Sequence, residues 1–304
     1  MKVFAIIVIY NGMRRDWIQK CFDSLQNSSI AVNIIAVDNN STDNSVEYIK
    51  KNYPSVILIE NKENKGFGGA NNQGLKIALE NGGEYFFLLN QDATVEANTV
   101  EVLQNVLIQN NEYGIVSPIH LNGCGDKIDY LFSKCLVPNE TPNFLSDLYL
   151  NKLKDVYIGR ANAAAWLMTK KCLEIVGGFN PVFFHYGEDS NYLHRLWYKK
   201  LKLGVVPNTR IFHDREYREE SSYDHKDEQN RRMKLLYLSN PNRNSNIDKE
   251  LKKLKISMFK YYFLDKTYYK TIKEEYLFLV NQKDKIFLNN TKVKSNTNYL
   301  FINE

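Results

Sequence analysis

Apolar residues follow two rhythms along the first two-thirds of the chain. Continuous apolar runs of strand length occur at 3–10 (VFAIIVIY), 33–39 (NIIAVDN), 55–61 (SVILIEN), 85–90 (YFFLLN) and 114–119 (GIVSPI). A run that is apolar at nearly every position is the pattern of a strand buried on both faces. Between the runs the spacing is helical, over 16–25, 42–52 and 74–80. Ser41 is placed to cap the second helix and Gly82-Gly83 to stop the third. Strands alternating with helices predict an α/β fold, a mostly parallel sheet covered by helices on both faces. The run at 3–10 reads as the first buried strand rather than a signal peptide. It is short, has a single preceding Lys, and is not followed by a small-residue cleavage site.

The rhythm loosens after residue 119. Residues 120–155 hold several Asn, Pro and Gly and read as a loop-rich segment that covers a site. GRANAAAWLM (159–168) reads as a strand whose Ala run leaves room for a ligand or a neighbouring backbone. A short helix over 169–176 ends at Gly177-Gly178, a longer one spans 188–200, and 203–214 is extended. From 249 to 280, Lys, Tyr, Phe and Leu recur at helical spacing.

Charge sharpens this division. From His225 to Glu304 there are 17 Lys and Arg against 9 Asp and Glu, whereas the rest of the chain has 23 against 26. The shift predicts a domain over 1–220 and a basic, aromatic, mainly helical extension over 221–304. Three readings of the extension stand side by side. It is a packed helical appendix, or it lies on an anionic membrane surface with Lys toward phosphate and Tyr and Phe at the interface, or it pairs two copies into a homodimer.

Composition excludes several classes. With 43% hydrophobic and 25% charged residues among 304, the chain is neither disordered nor fibrous. No run of 18 apolar residues suggests a spanning helix. Four Cys without a C-x-x-C pair argue against structural zinc or a disulfide framework. The expected location is the cytoplasm, at most peripheral on the inner face of the plasma membrane.

The candidate chemistry sits at strand ends, where open α/β sheets bind ligands. Tyr10-Asn11 follows the first strand, Asp38-Asn39-Asn40 the second and Asn90-Gln91-Asp92 the fourth. DNNSTD (38–43) has Asp43 where a calcium loop needs Gly, so that reading fails. Asn64-Lys65-Gly66-Phe67-Gly68-Gly69-Ala70-Asn71-Asn72 is a Gly-rich loop suited to bring N–H groups toward phosphate. It matches neither G-x-G-x-x-G nor a P-loop. Asp92 suits a hard cation holding a diphosphate, Mg²⁺ or Mn²⁺. His213 is a further candidate ligand, which would favour Mn²⁺, although a solitary His is more often structural. Glu188-Asp189 opens a helix after an aromatic stretch. The pair is either a set of N-terminal helix acids or a general base whose pKa is raised by its surroundings. Trp166 and Tyr186 are candidates for stacking on a sugar or acceptor, against the plainer reading of core aromatics.

Together these residues resemble glycosyltransferase family 2, over roughly residues 1–215. The segments IIVIYNG (6–12), VDNNSTDNS (37–45), NKGFGGANNQG (64–74), LLNQDA (88–93), GRANAAAWLM (159–168) and GGFNPVFFHYGEDSNYLHR (177–195) occur in the family's order. The resemblance implies a GT-A fold, Rossmann-like, and inverting transfer from a nucleoside-diphosphate sugar, UDP- or dTDP-linked, to a glycan or lipid-linked saccharide acceptor. It is nearest in kind to bacterial enzymes that build rhamnose-containing and other surface polysaccharides, such as capsule or O-antigen. It implies that Tyr10 and Asp38 line the base and ribose pocket, with Asn11 and Asn40 beside them. Lys65, Gly66 and Asn71 would flank the nucleotide. Asn90-Gln91-Asp92 takes the place of the D-x-D motif, with Asp92 holding the metal and Asn90 standing where the first Asp is expected. His213 matches a late metal-binding His, and Asp189 the catalytic base with Glu188 as its neighbour. A non-catalytic saccharide- or nucleotide-binding module on the same fold is the alternative. A sugar nucleotidyltransferase lacks its activation loop here, and the basic tail carries no nucleic-acid reading motif.

Overall fold

The computed structural model describes residues 1–217, 226–295 and 297–302. In chain order, the first half comprises β1 (Val3–Ile9), α1 (Trp17–Gln26), β2 (Val32–Asp38), α2 (Ser45–Asn52), β3 (Ile57–Glu60), α3 (Gly66–Glu80), β4 (Tyr85–Leu89), β5 (Ala93–Val95), α4 (Thr99–Gln109) and β6 (Tyr113–Asn122). The second half comprises α5 (Tyr130–Ser133), α6 (Phe144–Tyr149), β7 (Tyr157–Ile158), β8 (Ala165–Thr169), α7 (Lys170–Val176), α8 (Glu188–Tyr198), β9 (Lys202–His213), α9 (Lys226–Leu238), α10 (Ile247–Leu264) and α11 (Lys266–Lys294).

The strands form one mixed sheet in the order β3-β2-β1-β4-β8-β6-β9-β5, with β7 beside β9. β1 is parallel to both β2 and β4, whereas β8 runs antiparallel to β4. The chain leaves β1 toward β2 and β3, then crosses back to β4 on the other side. That reversal puts a topological switch point at the carboxyl ends of β1 and β4.

Alternation along β1 shows why its apolar run is unbroken. Phe4 and Ile6 enter the layer shared with α3, α7 and α8. Val3, Ala5, Ile7 and Ile9 enter the layer shared with α1, α2 and α4. A strand covered on both sides has no face left for polar residues.

Two local expectations are corrected. α2 begins at Ser45, and Ser41 does not cap it: the Ser41 hydroxyl instead accepts the N–H of Asn11. The Gly-rich stretch is not a loop before a helix but the first two turns of α3 itself. Glycine is a poor helix former, and close packing explains its use here. A Cβ on Gly66, which has φ +72°, would lie 2.0 Å from the Phe184 carbonyl oxygen, and one on Gly68 would lie 2.9 Å from the Phe179 Cβ.

The chain's last helices pack on the segment before α8. Val182 and Phe183 share a cluster with Leu235, Leu238, Ile247, Leu251, Leu279 and Ile286. Residues 297–302 then return to the main core. Ile302 is buried there, Gly178 N–H donates to the Leu300 carbonyl (2.7 Å), and the Asn72 amide donates to the Phe301 carbonyl (3.0 Å). No helix among the described residues is long and apolar enough to cross a membrane.

Candidate functional site

A cleft of about 710 Å³ opens at the switch point. Its walls include Tyr10 and Asn11 from the end of β1, Asn39 after β2, and Asn90, Gln91 and Asp92 after β4. Gly66 and Phe67 of α3 line it too, as do Ala163 and Ala164 before β8, Tyr186, Glu188 and Asp189 at the start of α8, and Arg215 after β9.

The turn after β4 is built by β5. Ala93 pairs with His213 across the antiparallel β5–β9 ladder, and Asp214 N–H donates to the Asp92 carbonyl (2.8 Å). This register sets His213 Nε2 3.3 Å from Asp92 Oδ1, both side chains buried. The Asn90 amide nitrogen lies 3.2 Å from the same imidazole nitrogen. On the far side of the ring, Asp129 Oδ2 lies 3.8 Å from Nδ1. Asp129 caps α5 through the N–H groups of Leu131 and Phe132, and it lies 3.6 Å from Arg215. That carboxylate sets a negative charge behind the imidazole.

Asp92 and His213 suit a divalent cation. Two adjacent ligand atoms around an octahedral ion with bonds near 2.1 Å lie about 3 Å apart, close to the observed 3.3 Å. Among the described residues no three His, Cys, Asp or Glu side chains converge on one point. A two-ligand site is the kind that Mg²⁺ and Mn²⁺ complete with water and phosphate oxygens.

Gln91 has a structural task. Its side-chain oxygen accepts the Tyr10 N–H (3.0 Å) and its amide donates to the Tyr10 carbonyl (2.9 Å). The amide thereby clips the end of β1 to the turn after β4. Asn11, at φ +48°, accepts the Thr42 N–H (2.8 Å) and so ties the same strand end to the turn after β2.

Four other expected nucleotide contacts lie off the cleft wall. Asp38 turns its carboxylate onto the N–H groups of Asn40 and Ser41. Asn40 is exposed at φ +68°. Lys65 pairs with Glu63. Asn71 is buried inside α3, donating to the Phe67 carbonyl. The neighbour Asn39 is on the wall instead. Its oxygen accepts the Lys65 N–H (2.8 Å) and its amide donates to Asn64 (2.8 Å), which in turn accepts the Gly66 N–H. The first N–H groups of the Gly-rich turn are thus already satisfied by side chains. Positive charge at the cleft comes from Arg14 and Arg215.

Trp166 is also corrected. It is fully buried, stacked on Phe179 (6.3 Å, 15°) and edge-on to Tyr192, so it presents no face to a ligand. Tyr186 does line the cleft, at φ +61° before Gly187, with the Arg232 guanidinium 5.0 Å above its ring.

Glu188 and Asp189 open α8 without a side-chain cap. Burial, and then the neighbouring Asp189 charge, raise the Glu188 pKa to about 8. Its Oε2 is buried without a hydrogen-bond partner. Asp189 Oδ1 accepts the Ser190 N–H (2.6 Å). Asp189 and Asn162 also line a second cavity of about 330 Å³, together with Lys134, Glu140 and Arg160. Arg160 donates to the Ser190 hydroxyl (2.6 Å). Asp189 therefore stands where two cavities meet.

A further buried group lies behind the site. His120 stacks on Phe132 (4.2 Å between centroids) and meets His213 edge-on (6.3 Å). The Ser117 hydroxyl donates to the Ala165 carbonyl (2.8 Å), so His120 Nε2, 3.0 Å away, is the donor to Ser117. Burial holds this imidazole well below its usual pKa, and neutral. Sequence reasoning named Asn39 only as part of a cluster and gave the role to its neighbours, and it missed His120, Asp129, Asn162 and Arg215. Of the missed residues, Asn162 stood inside the noted Ala-rich run 159–168.

A mixed sheet with a cleft at its switch point, and Asp92 in the cleft wall backed by His213, is the GT-A architecture. The profile of Glycosyl transferase family 2 matches residues 4–166, and the chain belongs to that family. It is 32% identical over 114 residues to the uncharacterized glycosyltransferase YibD of Escherichia coli K12, spanning 36% of this chain and 31% of YibD. It is 24% identical over 233 residues to Agl10 of Haloferax volcanii, a low-salt glycan biosynthesis hexosyltransferase, spanning 71% of this chain and 70% of Agl10. Among solved structures, S. aureus TarS 1-349 in complex with UDP superposes with a TM-score of 0.55 at 14% identity, over 97% of this chain and 90% of that one. GalNAc-T7 with UDP, GalNAc and Mn²⁺ superposes with a TM-score of 0.57 at 17% identity, over 88% of this chain and 57% of that one.

Proposed function

We propose that the protein is an inverting glycosyltransferase that moves a sugar from a nucleoside-diphosphate donor to a saccharide acceptor in surface-glycan synthesis. The observation that carries this reading is the position of Asp189 between the two cavities, with Asp92 lining the larger one and His213 paired behind it. The larger cavity takes the donor and the smaller takes the acceptor hydroxyl. UDP in TarS and UDP with Mn²⁺ in GalNAc-T7 support this choice of donor and ion. Agl10's role in glycan synthesis supports the acceptor class.

Asp92 and His213 would hold Mn²⁺ or Mg²⁺. When bound, that ion supplies positive charge to the departing diphosphate. Rotating the Asn90 amide by a half-turn would offer its oxygen in the same place. Arg14 and Arg215 add fixed positive charge where the leaving group's charge grows. Asp189 accepts the acceptor hydroxyl proton while that oxygen attacks C1 from the face opposite the diphosphate. The C1–O bond to phosphate breaks as the new C1–O bond forms, so one displacement inverts the anomeric carbon. Glu188, neutral below about pH 8 because it is buried, adds no competing charge beside Asp189.

The test is nucleoside-diphosphate release from UDP- and dTDP-sugars, with and without Mn²⁺, for the wild type and Asp189→Asn. Release that needs the ion and falls by orders of magnitude in the variant supports the reading. Nucleotide binding without turnover of any donor, with saccharide acceptors supplied, would favour a non-catalytic binding module.

A further inference from the structure

α10 and α11 form an antiparallel hairpin whose base is packed and whose tip is not. The buried residues of α10 are Ile247 and Leu251, and the first buried residue of α11 is Ile272. No residue from 252 to 271 is buried. At 1.5 Å per residue, Leu264 stands about 20 Å beyond Leu251.

This projecting tip is apolar. Ile256, Phe259, Tyr262, Phe263, Leu264 and Tyr268 are 49–74% exposed. Their rings touch one another rather than the protein body, with Phe259 against Phe263 at 5.7 Å. An exposed cluster of large apolar side chains at the end of a projection marks a surface that is covered in use. The tip is also strongly basic. Between 252 and 273 there are seven Lys, and the lone acid is Asp265. Asp265 turns its carboxylate onto the N–H groups of Thr267 and Tyr268 to start α11.

Charge chooses the occupant. A second copy seated tip to tip would bring two lysine collars within one Debye length, about 8 Å at physiological salt. An anionic bilayer neutralises them instead. The composition fits as well: exposed Phe, Leu and Tyr suit the boundary between acyl chains and headgroups, and Lys meets phosphate.

We propose that the α10–α11 tip inserts shallowly into a membrane surface rich in anionic phospholipid and docks the protein there. This rests on the hairpin alone and is independent of the glycosyl-transfer reading. The test is flotation of the full chain with phosphatidylcholine vesicles, with and without phosphatidylglycerol, beside light scattering of the protein alone. The expected result is recovery with the phosphatidylglycerol vesicles, reduced at least tenfold by high salt. The F259S/F263S/L264S variant should likewise lose it at least tenfold while keeping the wild-type melting temperature. These side chains contribute little to the core, so the variant should fold normally. Equal flotation of variant and wild type would overturn the proposal. A wild-type dimer that this variant converts to monomer would overturn it too, because the tip would then bind a second copy.

Discussion

His213 Nε2 stands 3.3 Å from Asp92 Oδ1, with both side chains shut off from solvent. The contact exists because the three-residue strand β5 pairs antiparallel with the end of β9. Asp92→Asn or His213→Ala should therefore weaken Mn²⁺ binding, measured by calorimetry with UDP present, by tenfold or more. Asp129→Asn, which removes the negative charge behind the ring, should give a smaller loss than either direct variant. Unchanged Mn²⁺ affinity in both direct variants would remove this pair as the cation site.

Asp189 meets both cavities, so its loss should affect turnover and not donor affinity. Asp189→Asn is expected to lower kcat by about 10²–10⁴-fold or more, while the Kd for the nucleoside diphosphate stays within about twofold. A variant that turns over normally would exclude Asp189 as the base.

Glu188 gives a pH signature. Burial raises its pKa to about 8 from an ordinary 4.5. The native state therefore keeps a proton that the unfolded chain releases above pH 4.5. Stability from this group falls as pH rises from about 4.5 to about 8 and is level beyond. Glu188→Gln should flatten that slope and melt a few degrees above the wild type at pH 9. Parallel melting curves across pH 5–9 for the two proteins would contradict the burial account.

Trp166 and Tyr186 were alike as candidates and should now behave differently. Trp166→Ala empties a fully buried site and should cost about 3–5 kcal/mol of stability. Tyr186→Ala should leave the melting temperature within about two degrees and weaken ligand binding. Chemical denaturation and nucleotide titration of the pair check this contrast.

The strands that build the site were legible because both faces of β1, β2 and β4 are buried, which leaves an unbroken apolar signature. Asp92 and Asp189 were legible as polar residues at element boundaries. Other features depended on what the chain packs against. Gly66 and Gly68 read as a loop because glycine disfavours helix, yet α3 needs them where Phe179 and Phe184 press on it. Asp38 and Asn39 are equivalent by sequence position, and only the turn geometry sends Asp38 to the backbone and Asn39 to the cleft. Trp166 sat in an Ala run that suggested space, but the space lies at Ala163 and Ala164, before the buried strand begins. Asp129 and Arg215 join the site through the long pairing of β6 with β9 and carry no local pattern that marks them.

The proposed function requires the cleft to bind a nucleoside diphosphate through a cation held by Asp92 and His213. The most direct measurement is calorimetric titration of the full chain with UDP and with dTDP, each with and without Mn²⁺, repeated on Asp92→Asn. The expected result is saturable binding of at least one diphosphate, strengthened tenfold or more by Mn²⁺ in the wild type and insensitive to it in the variant. Failure of both diphosphates to bind in the presence of Mn²⁺ would contradict it.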